Sequence, residues 1–327
     1  MKPIYFLSDA HLGSLAVPHR RMQERRLVRF LDTIKEKAAA VYLLGDMFDF
    51  WYEYRYVVPK GFTRFLGKLS ELTDMGVEVH YFTGNHDIWA YHYLAEECGV
   101  ILHKKPETTE LYGKIFYLAH GDGLGDPDKG FKLIKSIFHN RLCQVMFSSL
   151  HPRWGMWFGL NWAKQSRLKR PNGEEPPYMG ENREHLVLYT KQYIQYHSNV
   201  DYFIYGHRHI EVDLQLTKKA RMIILGDWIS HFSYVYRQNG ATGATRPDFE
   251  QRANHPGALH HDAGEIRRRR KRSSRETCRD CRETGDEPKG NRRSKPTRRR
   301  ASQNNTKASR RIYFESGKKR KYHKQKS

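Results

Sequence analysis

A short apolar run meets a glycine and two aspartates in Val41-Tyr-Leu-Leu-Gly-Asp-Met-Phe-Asp49. Residues Val41 to Leu44 are typical of a short buried strand, and Gly45 allows the backbone to turn sharply at its carboxyl end. Asp46 then follows the strand tip, where open α/β sheets bind ligands. An aspartate after a strand is more often a turn former or a helix cap, so this stretch alone leaves a metal ligand and a structural residue both open.

Four further apolar runs end in the same kind of polar segment. Ile4-Tyr-Phe-Leu7 precedes Asp9 and His11, which an extended chain places on one side. The runs at 77–82, 115–119 and 202–205 precede Gly84-Asn85-His86-Asp87, His120 and Gly206-His207-Arg208-His209. A lone histidine is usually structural, but five such strand ends together indicate a site for two metal ions. Oxygen and imidazole ligands without a thiolate suit Mn²⁺, iron or Zn²⁺ rather than a structural zinc finger.

Helical periodicity between these runs predicts strand, helix, strand units. The first helix carries apolar residues at Leu27, Phe30, Leu31 and Ile34, and the second carries them at Phe62, Phe65, Leu66, Leu69 and Leu72. The aromatic segment 50–56 lies between Asp49 and the second helix, and we expect it to pack or to line a cleft.

The polar motifs together resemble those of the calcineurin-like metallophosphoesterase superfamily. The resemblance covers residues 1–236 and implies a four-layer α/β sandwich, in which two facing sheets are flanked by helices. It also implies the ligands of two divalent metal ions, with Asp46 bridging. The first ion would be held by Asp9, His11, Asp46 and His209, and the second by Asp46, Asn85, His120 and His207.

Two cations roughly 3.5–4 Å apart can lower the pKa of a bridging water, clamp phosphate oxygens and stabilise an in-line displacement at phosphorus. The predicted reaction is therefore attack of a metal-bridging hydroxide on a phosphoester. By the resemblance, His86 acts as a proton donor or charge stabiliser at the leaving oxygen, and Asp49 orients it. His86 and Asp49 are the predicted catalytic residues.

An insert over about 126–197 is predicted to form a helical lid. Its segment 154–162 is rich in tryptophan and phenylalanine, and basic residues follow at Lys164, Arg167, Lys169 and Arg170. This composition can seat acyl chains near a membrane surface while its cations face phosphate. The alternative is a helical cap that packs its aromatic residues on the body of the protein and leaves its basic residues solvated.

Several motifs with this insert look like those of the UDP-2,3-diacylglucosamine pyrophosphatase family of lipid A biosynthesis. The motifs are Phe6-Leu-Ser-Asp-Ala-His-Leu12, Gly45-Asp-Met-Phe-Asp-Phe-Trp51, His120-Gly-Asp122 and Gly226-Asp-Trp228. The resemblance implies cleavage of a UDP-linked diacyl sugar to UMP and 2,3-diacylglucosamine 1-phosphate, with Mn²⁺ as the usual metal. It implies substrate contacts at Asn85, His86, Asp126, Ser166 and His207. One departure is His86, where the best-known members carry arginine.

The charge of the 327-residue chain is concentrated at its end. From Gly240 onward there are 27 of the 58 Lys and Arg residues, against 10 of the 36 Asp and Glu residues. Residues 237–327 contain little apolar surface and are predicted to form a basic, disordered tail. Such a tail binds nucleic acid or anionic lipid with little sequence selectivity. The hydrophobic pattern is lost abruptly after residues 232–236, where a strand that begins there should continue. This loss also resembles an out-of-frame read of the gene.

The four cysteines lack the spacing of a disulfide framework, which favours a reducing compartment. No signal region and no apolar run of membrane-spanning length is seen. We therefore expect a cytoplasmic protein, with peripheral contact to the inner membrane left open. Two alternative functions also stay open, a metallophosphoesterase acting on another phosphodiester or nucleotide, and a nucleic-acid-binding protein that acts through its tail.

Overall fold

The computed structural model describes residues 1–126, 128–168, 176–238 and 249–251. All of them lie in the first of the chain's two units, Met1–Asp262. The second unit, Ala263–Ser327, lies outside the described residues.

The described strands, in chain order, are β1 (Ile4–Leu7), β2 (Ala40–Leu44), β3 (Glu78–Phe82), β4 (Ile101–His103), β5 (Glu107–Leu111), β6 (Lys114–Ala119), β7 (Tyr202–Tyr205), β8 (Glu211–Gln215), β9 (Arg221–Leu225), β10 (Val235–Arg237) and β11 (Phe249–Gln251). The helices are α1 (Arg20–Ile34), α2 (Thr63–Asp74), α3 (Tyr93–Cys98), α4 (Lys129–His139), α5 (Arg141–Ser148), α6 (Pro152–Leu168) and α7 (His185–Tyr196).

The strands form two sheets. The first has the order β11-β10-β1-β2-β3-β4, and its four strands from β1 to β4 run parallel. The second has the order β5-β6-β7-β9-β8, with β6, β7 and β9 parallel. The central strand β1 is hydrogen-bonded on both sides, to β2 in parallel and to β10 in antiparallel orientation.

Alternation along β1 shows how the layers form. Tyr5 and Leu7 pack against α1 to α3 on the outer face of the first sheet, whereas Ile4 and Phe6 pack between the two sheets. On the far side, Leu186 and Val187 of α7 pack against the second sheet. The order of layers is helices, sheet, sheet and helix, which confirms the predicted four-layer sandwich.

Three helices of the predicted insert stand apart from these layers. We call α4, α5 and α6 the lid, because they meet the body through a separate aromatic cluster around Phe50, Tyr52 and Trp89. The predicted insert over about 126–197 also contains α7, but α7 belongs to the core of the second sheet. Among the helices of the described residues, none combines the length and apolar composition that crossing a bilayer requires.

The end of the described chain completes the first sheet. Arg237, predicted to start the basic tail, pairs with Ile4 as part of β10. Phe249–Gln251 pairs with β10 as the edge strand β11. Apart from these residues and Gln238, the prediction of a disordered tail over 237–327 lies outside the described residues.

Candidate metal centre

Polar loops after the parallel strands of both sheets converge at one edge of the sandwich. Asp9 and His11 follow β1, Asp46 follows β2, Asn85 follows β3, His120 follows β6, and His207 and His209 follow β7. Contacts cross between the sheets: His120 Nδ1 lies 2.8 Å from the Leu44 carbonyl oxygen, and the His207 amide donates to Asp9 Oδ2 at 2.8 Å. We call these seven residues the metal centre.

The backbone of the metal centre is held in an uncommon conformation. Eight non-glycine residues of the described chain have positive φ, and five belong to the metal centre: Asp9, His11, Asp46, His207 and His209, with φ between 42° and 68°. Each such residue costs free energy, and it persists only where the surroundings enforce it. Strain of this kind clusters at functional sites, so the backbone points to this edge independently of side-chain chemistry.

Asp9, His11 and His209 form the first group of candidate ligands. His209 Nε2 lies 3.2 Å from Asp9 Oδ1 and 3.0 Å from His11 Nε2, and all three side chains are buried. His11 Nε2 is also 3.6 Å from Asp46 Oδ2. Four potential ligand atoms therefore face one small volume.

Asp46, His120 and His207 form the second group. His120 Nε2 is 3.3 Å from Asp46 Oδ2, the same oxygen that faces His11. The His120 and His207 rings are 5.2 Å apart at their centroids. Asp46 is thus shared by the two groups, as a bridging ligand would be.

Several polar atoms of the metal centre fit a bound cation because they are buried and no described residue forms a hydrogen bond with them. These are Asp9 Oδ1, Asn85 Oδ1 and His120 Nε2. In two of these side chains the other polar atom does form a hydrogen bond. Asp9 Oδ2 accepts from Ser8 Oγ at 2.6 Å, and His120 Nδ1 donates to the Leu44 carbonyl. Buried polar atoms are nearly always satisfied in native proteins, so this pattern fits the donor atoms of metal ligands.

Two glycines leave the space that these side chains occupy. A Cβ atom at Gly84 would overlap the carboxylate of Asp46, and one at Gly206 would lie 2.5 Å from both Asp9 Oδ2 and Ser8 Oγ. The glycines that the sequence places before Asn85 and His207 therefore allow close approach of the backbone to the neighbouring ligand.

The buried carboxylates and imidazoles of the metal centre shift one another's pKa. Burial opposes the charged form of Asp46, but His120 and His86 outweigh it and hold the pKa of Asp46 below its usual range. Burial also opposes charge on His120, yet the carboxylates of Asp46 and Asp9 raise its pKa above the ordinary value. At His11, burial and the nearby Arg167 lower the pKa, which favours the neutral imidazole that metal coordination needs.

The predicted catalytic residues His86 and Asp49 also lie at the metal centre, but the contact between them differs from the predicted one. His86 is half-buried, its ring centroid is 4.7 Å from that of His11, and its Nδ1 donates to the main-chain carbonyl of Asp49 at 2.7 Å. The Asp49 carboxylate, expected to orient His86, instead accepts from Arg167 Nη2 at 2.7 Å. Its Oδ1 lies 3.4 Å from His11 Nδ1.

Asp87 is a residue whose role the sequence did not indicate. It is fully buried and accepts from the amides of Met47 and Gly84 and from the Tyr81 hydroxyl, at 2.6–2.9 Å. It therefore ties the loop of Asn85 to the loop of Asp46. Burial and the Asp46 charge raise the pKa of Asp87 to about 6. The sequence did contain a signal that could have singled out this residue, because Asp87 is the last residue of the Gly-Asn-His-Asp motif.

A mostly apolar cavity of about 720 Å³ opens beside the metal centre. Its lining joins Asp49, Asn85 and His86 to apolar side chains of α4 and α6: Ile134, Phe138, Trp157, Phe158 and Trp162. Of the predicted substrate contacts in the insert, Ser166 lines this cavity. Asp126 does not line it, and its carboxylate accepts from the Asp128 amide.

Comparison with known proteins gives consistent results. The profile of the calcineurin-like phosphoesterase family matches residues 2–211. The chain is 44% identical over 242 residues to a UDP-2,3-diacylglucosamine hydrolase of Porphyromonas gingivalis, which covers 71% of this chain and 92% of the relative. It is 29% identical over 243 residues to the UDP-2,3-diacylglucosamine hydrolase of Neisseria gonorrhoeae, covering 73% and 95% of the two chains.

Proposed function

This chain belongs to the calcineurin-like phosphoesterase family, and on that premise we propose that it hydrolyses UDP-2,3-diacylglucosamine to UMP and 2,3-diacylglucosamine 1-phosphate. The observation that carries the proposal is the apolar cavity, whose lining includes Asn85 and His86. Such a cavity suits the acyl chains of a lipid whose pyrophosphate lies at the metal centre.

Two divalent cations fit the metal centre. One would be held by Asp9, His11, Asp46 and His209, the other by Asp46, Asn85, His120 and His207. We propose Mn²⁺, with iron or Zn²⁺ as alternatives, because the set mixes carboxylate, amide and imidazole ligands and contains no thiolate. Such a pair, when bound, would activate water for attack on phosphorus and neutralise phosphate charge.

The protein's own groups would orient the substrate and move the proton. The bond from His86 Nδ1 to the Asp49 carbonyl fixes the ring and leaves Nε2 for the leaving oxygen. The Asp46 carboxylate accepts from the His86 amide at 2.9 Å, so the candidate acid and the bridging ligand are held in one unit.

The function is tested by supplying the purified protein with Mn²⁺ and three substrates in detergent: UDP-2,3-diacylglucosamine, UDP-N-acetylglucosamine and bis-p-nitrophenyl phosphate. We expect UMP release from the diacyl substrate at a rate far above that from the unacylated sugar nucleotide. Equal rates on both sugar nucleotides, or activity on bis-p-nitrophenyl phosphate alone, would show that the substrate of this protein is a different phosphodiester.

The outer surface of the lid supports peripheral contact with a membrane. Large apolar side chains that do not line the cavity are more than half exposed, namely Leu133, Leu142, Val145, Met146, Trp154 and Leu168. Exposed lysine and arginine, including Lys132, Arg141 and Arg153, lie on the same three helices. Exposed apolar groups with basic neighbours are typical of surfaces that bind anionic phospholipid. We propose that the lid docks on the bilayer that holds the substrate. Binding of nucleic acid by the basic residues beyond Gly240 stays a prediction.

A further inference from the structure

Arg167 is the point where the lid reaches the metal centre. It is the second-last residue of α6, its side chain is only 12% exposed, and its Nη2 donates to Asp49 Oδ1 at 2.7 Å. A buried arginine needs a charged partner, and Asp49, which is fully buried, supplies one.

The geometry of α6 explains why Arg167 points inward. Gly155, Gly159, Ala163 and Arg167 recur at every fourth residue, and the first three are buried. A Cβ atom at Gly159 would overlap the ring of Phe50, and one at Gly155 would overlap the Tyr54 hydroxyl. The helix therefore lies directly on the segment that follows Asp49, and the last position of this face delivers the guanidinium to the Asp49 carboxylate.

Asp49 in turn faces a metal ligand. The same oxygen that accepts from Arg167 lies 3.4 Å from His11 Nδ1, while His11 Nε2 faces Asp9, Asp46 and His209. Imidazole ligands are commonly oriented by a carboxylate at their other nitrogen, and loss of that carboxylate typically weakens metal affinity about 10–100-fold.

We propose that Arg167 is a positioning residue, which fixes Asp49 and through it His11, so that seating of the lid and binding of metal are coupled. The inference rests on the proposed metal centre. Without the guanidinium, the Asp49 carboxylate is a buried charge whose remaining described ion-pair contact is the His11 imidazole, and it no longer holds one place beside that ring. Coupling is reciprocal, so metal binding should also stabilise the last turn of α6.

The test measures Mn²⁺ affinity by calorimetry and amide hydrogen exchange of α6 with and without Mn²⁺, in the full-length protein. We expect Arg167→Ala to weaken Mn²⁺ binding about tenfold and to abolish the Mn²⁺-dependent protection of residues 163–168. Arg167→Lys should restore part of both effects. Arg183→Ala, which removes an exposed arginine outside α6, is the matched control and should change neither.

A double-mutant cycle tests the route through Asp49. Because Arg167 acts through Asp49, adding Arg167→Ala to Asp49→Asn should weaken Mn²⁺ binding less than about twofold further. Full additivity would overturn the route. Unchanged Mn²⁺ affinity in Arg167→Ala with a raised KM would overturn the proposal as a whole, because the guanidinium would then contact substrate.

Failure of the proposed metal centre looks different, since the wild-type protein would then take up no metal, whereas failure of the proposed substrate alone would leave Mn²⁺ binding and its dependence on Arg167 intact. If Arg167→Ala does not fold, as judged by circular dichroism, Arg167→Lys carries the test. Wild-type Mn²⁺ affinity and wild-type hydrogen-exchange protection of α6 in Arg167→Lys would support the inference if the lysine still pairs with Asp49. The same values in a variant that has lost this ion pair would overturn it.

Discussion

The metal centre and the lid of this protein are built in opposite ways. The metal centre uses buried polar residues on short loops, with positive φ at five positions and glycines that bring the backbone close to the ligands. The lid uses regular helices with much of their apolar surface exposed. Chemistry at phosphorus requires ligands held in one arrangement, whereas a surface for lipid can bind by burial of apolar area without fixed geometry. The comparison predicts that substitutions in the metal centre have large, specific effects and that those on the lid surface have small, graded ones.

The sharpest test of the metal centre is Asp46→Asn. Asparagine keeps the shape of the side chain and an oxygen for the His86 amide, but removes the charge shared by the two groups. We expect loss of bound metal and a fall in activity well beyond the roughly 10–100-fold cost of a change outside the ligands. Metal analysis with a kinetic assay measures both, and retention of two metals per chain would contradict the bridging role.

His86→Ala should separate chemistry from metal binding. Loss of a general acid costs about 10²–10⁴-fold in turnover, and His86 is absent from both proposed ligand sets. We therefore expect kcat to fall by that amount while metal content stays near the wild-type value. An equal loss of metal and activity would show that His86 is a ligand, and His92→Ala, on a loop outside the metal centre, serves as a control.

Removal of metal should destabilise the body more than the lid. A ligand present at about 100 times its Kd stabilises the folded state by about 2.7 kcal/mol, or roughly 5–10 °C in Tm for a domain of this size. We expect a shift of that order between chelator and Mn²⁺ in thermal unfolding. Hydrogen exchange should assign most of the change to the loops after β1, β2, β3, β6 and β7, with the last turn of α6 as the protected part of the lid, and an unchanged Tm would argue against tight metal binding.

The smallest effects are expected on the lid surface. Trp154→Ala and Met146→Ala remove side chains that are 61% and 65% exposed and do not line the cavity. Each should weaken binding to anionic phospholipid vesicles several-fold, while hydrolysis of bis-p-nitrophenyl phosphate in solution stays within about twofold. Vesicle flotation with and without salt measures binding. Wild-type protein that does not bind vesicles but dimerises through these residues would give the lid surface a different partner.

The sequence predicted the part of the site that is set locally. Each candidate ligand follows a short apolar run, and parallel strands place their carboxyl ends at one edge, so Asp9, Asp46 and His120 could be grouped without a structure. The four-layer fold and the family were predicted from the same motifs and are confirmed. The assignment of individual ligands to two metals stays a prediction.

Contacts between distant residues could not be predicted in the same way. Arg167 and Asp49 are 118 positions apart, and the helical period of α6 places Arg167 on one face without indicating what that face meets. The role of Asp87 depends on the amide of Met47, which lies in another loop 40 positions earlier. The core position of α7 could not be told from a lid helix, because both present apolar residues at helical spacing.

The close approach of α6 to Phe50 has a consequence for how the enzyme can diversify. A methyl group added at Gly159 would overlap that ring, and one at Gly155 would overlap the Tyr54 hydroxyl, so these two inward positions of the helix are restricted to glycine. The exposed positions of the same helix that do not line the cavity, such as Trp154, meet no such barrier. Related chains should therefore vary most at those exposed positions and keep small residues at Gly155, Gly159 and Ala163, the buried residues of this helix.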